Sequence, residues 1–520
     1  MRHQLALSLV AQLVCIVTTI EDQEFWFQKG QRELDEALKT QRNEGVAKNV
    51  LLFVGDGMGP NTITAARIYK SLENSSLVFE NFPHIGLIKT YCVDKQVPDS
   101  ASTATAIFSG VKNNFETVGV SAAVTLDDCK SSLDPKHRLS TIVDWAQAAG
   151  KSTGFVTTTR VTHATPSALY AHCPNRKWEC DTKMPSSSSD CKDIARQLVE
   201  DEPGKNLKVI MGGGRQCLMT NSSVTPQDPR DTWACSRGDN RDLVQTWVKH
   251  KQQLGLSHSY LTNTDDLTRL DPNNVDYVLG LFANGHMKMD YERDKTSAGM
   301  PSLTQMTETA LKVLLKSEKG FLLVVEGGMI DYSHHRGRAR AALDETVALE
   351  SAVQASLDLL AERGVLLDTL VIVTSDHSHS LAINGNPPRG NNILGLSQVS
   401  KQDGISFTTL LYASGGKDNF QYEVKEGNVS RQDPSSSDTT SFDYAQQAVV
   451  LEEEARHDGG DVAIYATGPQ AHLFHRVHEQ NYIAHVVAYA AKIGKYSNSS
   501  SQLLTPVPIL LFMSFLSIYK

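Results

Sequence analysis

Six short apolar runs rich in β-branched residues are spread along the chain, at 50–54, 154–158, 207–211, 275–282, 321–325 and 370–374. None alternates with polar residues and none is long enough for a helix buried on every side, so each reads as a strand covered on both faces. Stretches with helical spacing lie between them. Residues 138–149, stopped by Gly150, are one; 303–315 and the long 340–361 are others. Strands alternating with helices predict an α/β fold with a mainly parallel central sheet and helices on both faces. From about 384 to 454 the pattern breaks into NGNPPRGNN, GGKDN and SRQDPSSSDTTS around one strand-like run, 406–412. That stretch reads as a small inserted lobe, after which strand-like 461–466 and helical 482–492 resume the main fold.

The two ends and the cysteines place the chain outside the cell. Arg2 and His3 precede an apolar stretch, 5–17, too short to span a bilayer, and Glu21 and Asp22 follow soon after. This is a signal peptide over 1–20. At the other end the small polar cluster 497–501 stands before an apolar tail, 503–519, the arrangement of a GPI-attachment signal. Ser497, Asn498 and Ser499 are the candidate attachment residues; Asn498 is taken as the site and 498–520 as the propeptide removed there, leaving 21–497 as the mature domain on the extracellular face of the plasma membrane. A spanning tail is the alternative, opposed by Pro506 and Pro508. Asn74, Asn221 and Asn428 each begin an N-glycosylation acceptor. Without the leader, Cys92, Cys129, Cys173, Cys180, Cys191, Cys217 and Cys235 remain, an odd number that leaves one thiol unpaired. Cys173 with Cys180 and Cys217 with Cys235 can close local loops, although spacing does not settle the connectivity. A net charge of −9 with no run of Lys and Arg excludes a partner gripped through nucleic-acid phosphates.

In open α/β sheets ligands bind beyond the carboxyl ends of the strands. Asp56 follows NVLLFVG, His163 and Thr165 follow GFVTTTRV, Glu326 follows FLLVV, and Asp376 and His377 follow LVIVTS. One such acid is usually a helix cap; four runs ending in reactive groups point to a shared metal site. GDGMG at 55–59 has Pro60 where a dinucleotide loop would have its third glycine, and Asp56 would repel a bare phosphate. A carboxylate there makes sense as a cation ligand, with glycines permitting close backbone approach. His335 lies one helical turn beyond Asp331, on the same face, so the two can share a zinc. His379 alternates with His377, and His334 adjoins His335, so those two read as structural or supporting residues. Asp99 and Ser100 open an Ala- and Thr-rich helix; Ser100 is either a plain N-cap or a nucleophile favoured by the helix N-terminus and an adjacent metal. No GxSxG elbow supports a serine-hydrolase triad.

Taken in order, NVLLFVGDGMG, VPDSASTATA, TRVTHATPSALYAHCPNR, VVEGGMIDYSHH, TSDHSH and RHDGGDVAIYATGPQAH resemble the alkaline phosphatase family from about 49 to 493, most closely its animal, insect-type membrane-bound members. The resemblance implies two zinc ions, one on Asp331, His335 and His457, the other on Asp56, Asp376 and His377, and one magnesium on Asp56, Thr165 and Glu326. It implies Ser100 as nucleophile and a metal neighbour, Arg176 as the phosphate-holding arginine, and His163 beside the magnesium and substrate. It further implies hydrolysis of phosphate monoesters through a phosphoserine, with broad specificity, in a GPI-anchored homodimer whose inserted lobe is crown-like. Cys129 with Cys191 is the family-like disulfide; Cys92 is then the free thiol. The alternatives are a phosphodiesterase or sulfatase on the same core and a catalytically reduced cell-surface binding protein. One departure stands out: Ala283 and the region of Ala298 replace carboxylates that bind calcium in vertebrate relatives, so no high-affinity calcium site is expected there, with Asp290, Glu292 and Asp294 as the acids nearest in sequence.

Overall fold

The strand Asn49–Gly55 (β1) is buried at every residue, as its unbroken apolar run requires. The computed structural model describes residues 21–188 and 190–497. Beside β1 the main sheet holds His84–Lys89 (β2), Ser152–Arg160 (β3), Val209–Gly213 (β4), His258–Leu261 (β5), Tyr277–Leu281 (β6), Phe321–Gly327 (β7), Thr369–Ser375 (β8), Val462–Thr467 and Arg476–Glu479. The ten strands run across the sheet in the order Arg476–Glu479, β2, Val462–Thr467, β8, β1, β7, β3, β4, β6, β5. Among the described residues, Val462–Thr467 alone opposes its neighbours. The architecture is therefore the expected mainly parallel α/β sheet.

Alternate residues of β1 feed two separate cores. Val50, Leu52 and Val54 pack with Ala101, Ala104, Ile107 and Phe108 of the helix Ser100–Ser109 and with Ile483, Ala484 and Val487 of Tyr482–Ala491. Leu51 and Phe53 pack with Met306 and Ala310 of Leu303–Leu314 and with Leu343 and Leu349 of Ala339–Glu362. Each fully buried side chain of this size contributes roughly 1.5–3 kcal/mol. The helix expected over 138–149 starts only at Ile142. Thr141 caps it, with Oγ1 accepting from Val143 N–H and Asp144 closing a capping box, while Arg138 is drawn into an extended bridge with Val120. Within 384–454, Leu410–Gly415 pairs with Leu381–Ile383 and Ala448–Leu451, and two hairpins are added, Leu396–Val399 with Ser406–Thr408 and Tyr422–Lys425 with Asn428–Arg431.

Among the described residues, those up to Arg42 form a separate unit, which carries the helix Gln23–Lys39 capped by Asp22. The signal peptide over 1–20, the attachment residue Asn498 and the tail 498–520 lie outside the described residues. No described helix is long and apolar enough to cross a membrane. Asn74, Asn221 and Asn428 are all exposed.

The cysteines correct the local pairings. Disulfides join Cys129 to Cys191, as the resemblance implies, and Cys180 to Cys235, with Cα atoms 5.9 and 5.8 Å apart. Cys173 does not bond Cys180, nor Cys217 Cys235; Cys173, Cys217 and Cys92 are buried free thiols. The reason is orientation: the Cys173 thiol faces the Asn175 carbonyl at 3.1 Å, and Cys217 donates to the carbonyl of Cys235 at 3.2 Å instead of meeting its sulfur.

Candidate active site

β1 lies between β7 and β8, with Gly55 opposite Gly327 and Ser375. That register sets three carboxylates side by side at the carboxyl edge: Glu326 just before Gly327, Asp56 just after Gly55, and Asp376 just after Ser375. The Thr157 hydroxyl of β3 donates to Glu326, and Thr159 does so at 3.1 Å. Gly57 has φ +70°, and a Cβ there would lie 2.6 Å from His379 Cδ2 and 3.1 Å from Asp331 Oδ1. A side chain at this position would push the Asp56 loop away from both.

Asp331 and His335 stand one turn apart on the helix Met329–His335, with His335 Nε2 3.2 Å from Asp331 Oδ2. His457, from a short strand after the inserted region, brings its Nε2 to 3.3 Å from Asp331 Oδ1 and 3.1 Å from His335 Nε2. Both rings give their Nδ1 proton to backbone carbonyls, His335 to Ala455 at 2.8 Å and His457 to Pro98 at 2.9 Å. Such outer contacts fix the tautomer and aim the Nε2 atoms at one point beside a carboxylate, the arrangement of a metal ligand set. Burial opposes charge on His335, but Asp331 outweighs it and pushes the imidazole up to about 9, so a proton fills the gap when no metal does. His379 donates from Nε2 to Asp331 Oδ1 at 2.5 Å and thus steadies that carboxylate.

The second group surrounds Ser100. His377 Nδ1 donates to the Ser378 carbonyl at 3.3 Å, and its Nε2 lies 3.1 Å from Ser100 Oγ, 3.4 Å from Asp56 Oδ1 and 3.3 Å from Asp376 Oδ2. In a Ser–His–Asp triad the acid would hold the far nitrogen; here both acids share the serine's side of the ring. Asp99, not Ser100, caps the helix Ser100–Ser109, accepting from Ala101 and Ser102 N–H, so the Ser100 hydroxyl is free of capping work. A plain capping serine is thereby excluded.

Both oxygens of Asp56, Oε1 of Glu326 and Oγ1 of Thr165 are buried without a hydrogen-bond partner, and Thr165 faces Glu326. Burial pushes Glu326 up to about 7, Asp376 up to about 6 and Asp56 well above the carboxylate range. Buried lone pairs left bare on this scale cost several kcal/mol unless a cation meets them. The ligand atoms of Asp331, His335, His379 and His457 lie within 4.8 Å of one another, as do those of Asp56, His163 and Glu326 and those of Asp56, Asp331 and His377. All residues expected as ligands are brought to one edge. The donor types fit: imidazole with carboxylate suits zinc, and the oxygens of Asp56, Thr165 and Glu326 suit magnesium.

Arg176 completes the site. Its Nη1 holds Asp99 at 3.0 Å and its Nη2 donates to His163 Nε2 at 3.1 Å. Burial depresses His163, and Arg176 adds to this, so the imidazole stays neutral and can accept. Arg176, His163, His335 and His457 open on a cavity of about 790 Å3. Sequence reading passed over Asp99 as a clamp and Thr157 and Thr159 as partners of Glu326. The alternation of three threonines in TTTR, putting 157 and 159 on one face, is the signal that could have found the latter.

A family model described as alkaline phosphatase matches residues 47–493. The chain belongs to the alkaline phosphatase family. It is 45% identical over 486 residues to the tissue-nonspecific isozyme of Rattus norvegicus, covering 91% of this chain and 89% of the other. Against the Gallus gallus isozyme the identity is 43%, over 98% and 99% of the two chains. Alkaline phosphatase 4 of Drosophila melanogaster is 40% identical, over 91% and 82%. Among solved structures, the alkaline phosphatase of the Antarctic bacterium TAB5 superposes with a TM-score of 0.58 at 22% identity, over 88% of this chain and 100% of that one. The Thermus thermophilus alkaline phosphatase gives 0.60 at 21%, over 87% and 93%. Those two share the fold. The chain is thus an animal-type alkaline phosphatase, a phosphoric monoester hydrolase with residue clusters suited to metal binding.

Proposed function

We propose that this alkaline phosphatase cleaves phosphate monoesters of broad structure through a phosphoserine on Ser100, at a site for two zinc ions and one magnesium. The observation that carries the reading is the gathering of aimed imidazole nitrogens and bare buried carboxylate oxygens at one edge of the sheet, with His377 Nε2 3.1 Å from the Ser100 hydroxyl. Asp331, His335 and His457 would hold one zinc, Asp56, Asp376 and His377 the other, and Asp56, Thr165 and Glu326 the magnesium. When bound, the ions supply positive charge that stabilises an ionised serine and the departing ester oxygen. Ser100 Oγ attacks phosphorus as the ester P–O bond breaks, and the alcohol leaves with a proton. Water then attacks the phosphoserine and frees phosphate and Ser100. Arg176 offers its planar fork to two phosphoryl oxygens, Asp99 holds one arm of it, and His163 positions the other. These groups address phosphate and not the alcohol, from which broad tolerance follows.

Acid trapping with radiolabelled phosphate should place the label on the Ser100 peptide. Ser100→Ala should lose that label and at least about a thousandfold in turnover while keeping its thermal midpoint. Label on another residue, or turnover within tenfold of wild type, refutes the assignment. The same enzyme is proposed to be a GPI-anchored homodimer on the outer face of the plasma membrane. A phosphatidylinositol-specific phospholipase should then release activity from cells; retention after a control anchor is fully digested rejects the anchor.

A further inference from the structure

The catalytic cavity has a wall that the phosphate chemistry leaves unused. Trp233 lines it, 88% exposed, more than any other large apolar side chain among the described residues. A single exposed apolar residue is ordinary in itself. Here, however, the backbone beneath it is fastened at several points. Trp233 N–H donates to Asp231 Oδ1 at 2.9 Å, and Asp231 Oδ2 lies 3.4 Å from Arg160 Nη1 at the end of β3. Gln216 accepts from Asp231 N–H and donates to the carbonyls of Asp231 and Cys235, at 2.9, 2.9 and 3.1 Å. Cys235 is bonded to Cys180, four residues past the phosphate-holding Arg176. The indole is therefore presented at the cavity by the same cross-linked frame that carries Arg176 and leads into His163.

Lys95, Lys177, Lys183 and Arg456 bring positive charge to this cavity, part of it already paired. Lys177 is paired with Glu116 at 3.1 Å and Arg456 with Glu452 at 3.3 Å. What the chemistry leaves unused is a flat π-surface lining the cavity onto which Arg176, His335 and His457 open, and such surfaces favour offset or edge-on contact with another ring.

We propose that Trp233 is a specificity-determining residue that stacks on planar aromatic leaving groups, so that nucleoside and aryl monophosphates are favoured over aliphatic ones. The proposal rests on the phosphoserine reading above. In that scheme the alcohol has gone before the second half-reaction, so Trp233 acts on kcat/KM while a kcat set by breakdown of the phosphoserine is common to all substrates.

The test uses full-length metal-loaded enzyme with adenosine 5′-monophosphate, phenyl phosphate and glycerol 3-phosphate. Trp233→Ala should lower kcat/KM roughly fivefold for the aromatic esters. Glycerol 3-phosphate should stay within twofold, and Trp233→Phe should restore most of the loss. In Ser100→Ala protein, adenosine 5′-monophosphate should quench indole emission, and adding Trp233→Phe should remove that quench. An equal loss on aromatic and aliphatic esters, or no loss and no quench, overturns the proposal. Failure of the phosphoserine reading looks different: wild-type kcat would then vary with the leaving group, whatever stands at 233.

Discussion

At the ends of β1 and β7 the buried carboxylates of Asp56 and Glu326 keep oxygens with no partner, whereas beyond β6 Asp228 and Asp290 already have cations of their own. Asp228 lies 2.7 Å from Arg215 Nη1, and Asp290 lies 2.6 Å from Arg293 and 3.0 Å from Lys295. Ala283 is buried and gives its carbonyl to Arg215 N–H at 2.9 Å. Ala298 lines a cavity of about 840 Å3 together with Asp228, Glu292 and Asp294. Both neighbourhoods are acidic and both follow strand ends. The number of carboxylates does not separate them; the unmet lone pairs do, because only an unpaired buried carboxylate gains much by taking an ion out of water.

The largest effect should come from Asp56→Asn, since Asp56 belongs to two of the three clusters. Turnover should fall at least about a thousandfold, and elemental analysis should show both zinc and magnesium reduced. Loss of one metal with the other intact would break the idea of a bridging carboxylate. Arg176→Ala touches charge without touching metal ligands and should cost roughly ten- to a hundredfold in kcat/KM, with weaker inhibition by phosphate and full metal content. An unchanged phosphate affinity would remove Arg176 from the site.

Glu345 sharpens the comparison from the other side. Its Oε1 accepts from Asp290 N–H at 2.5 Å, and burial pushes its carboxyl up to about 8. This acid meets burial with a proton. Because the folded value lies above the unfolded one, near ~4.3, its contribution to stability is complete below that pH and is lost as pH rises through about 8. Glu345→Gln keeps the acceptor and cannot ionise, so its thermal midpoint should gain on wild type by a few degrees between pH 5 and 9; a constant difference across that range contradicts the assignment. The smallest effect is the one expected of calcium. With zinc and magnesium saturating, micromolar calcium should leave the midpoint where it is; a rise abolished by mutating Asp290, Glu292 or Asp294 would show a shifted site beyond β6.

The apolar runs 50–54, 321–325 and 370–374 announced the centre of the sheet because strands covered on both faces have no polar alternation to blur them. Their terminal acids were legible for the same reason, since a charge at the end of such a run needs a partner. The edge strands β5 and Arg476–Glu479 and the strand β2 next to the latter were not, because half-exposed segments such as HIGLIK and RVHE mix polar and apolar residues as loops do. Hydrophobic patterning was thus enough for the fold class and the order of the motifs for the family, while the candidate ligands were legible only as reactive residue types at strand ends. Which sulfurs meet depended on the folded chain: Cys180 and Cys235 are 55 residues apart, and Cys217, nearer in sequence, turns its thiol to a carbonyl. The same holds for His379, whose ring reaches Asp331 only because Gly57 lets two loops close, and for Trp233, an unremarked loop residue until a disulfide and Asp231 set it at the cavity. Periodicity reports which side of an element is buried; the direction of an individual side chain across a gap between distant segments is settled by packing, and one sequence contains no trace of it.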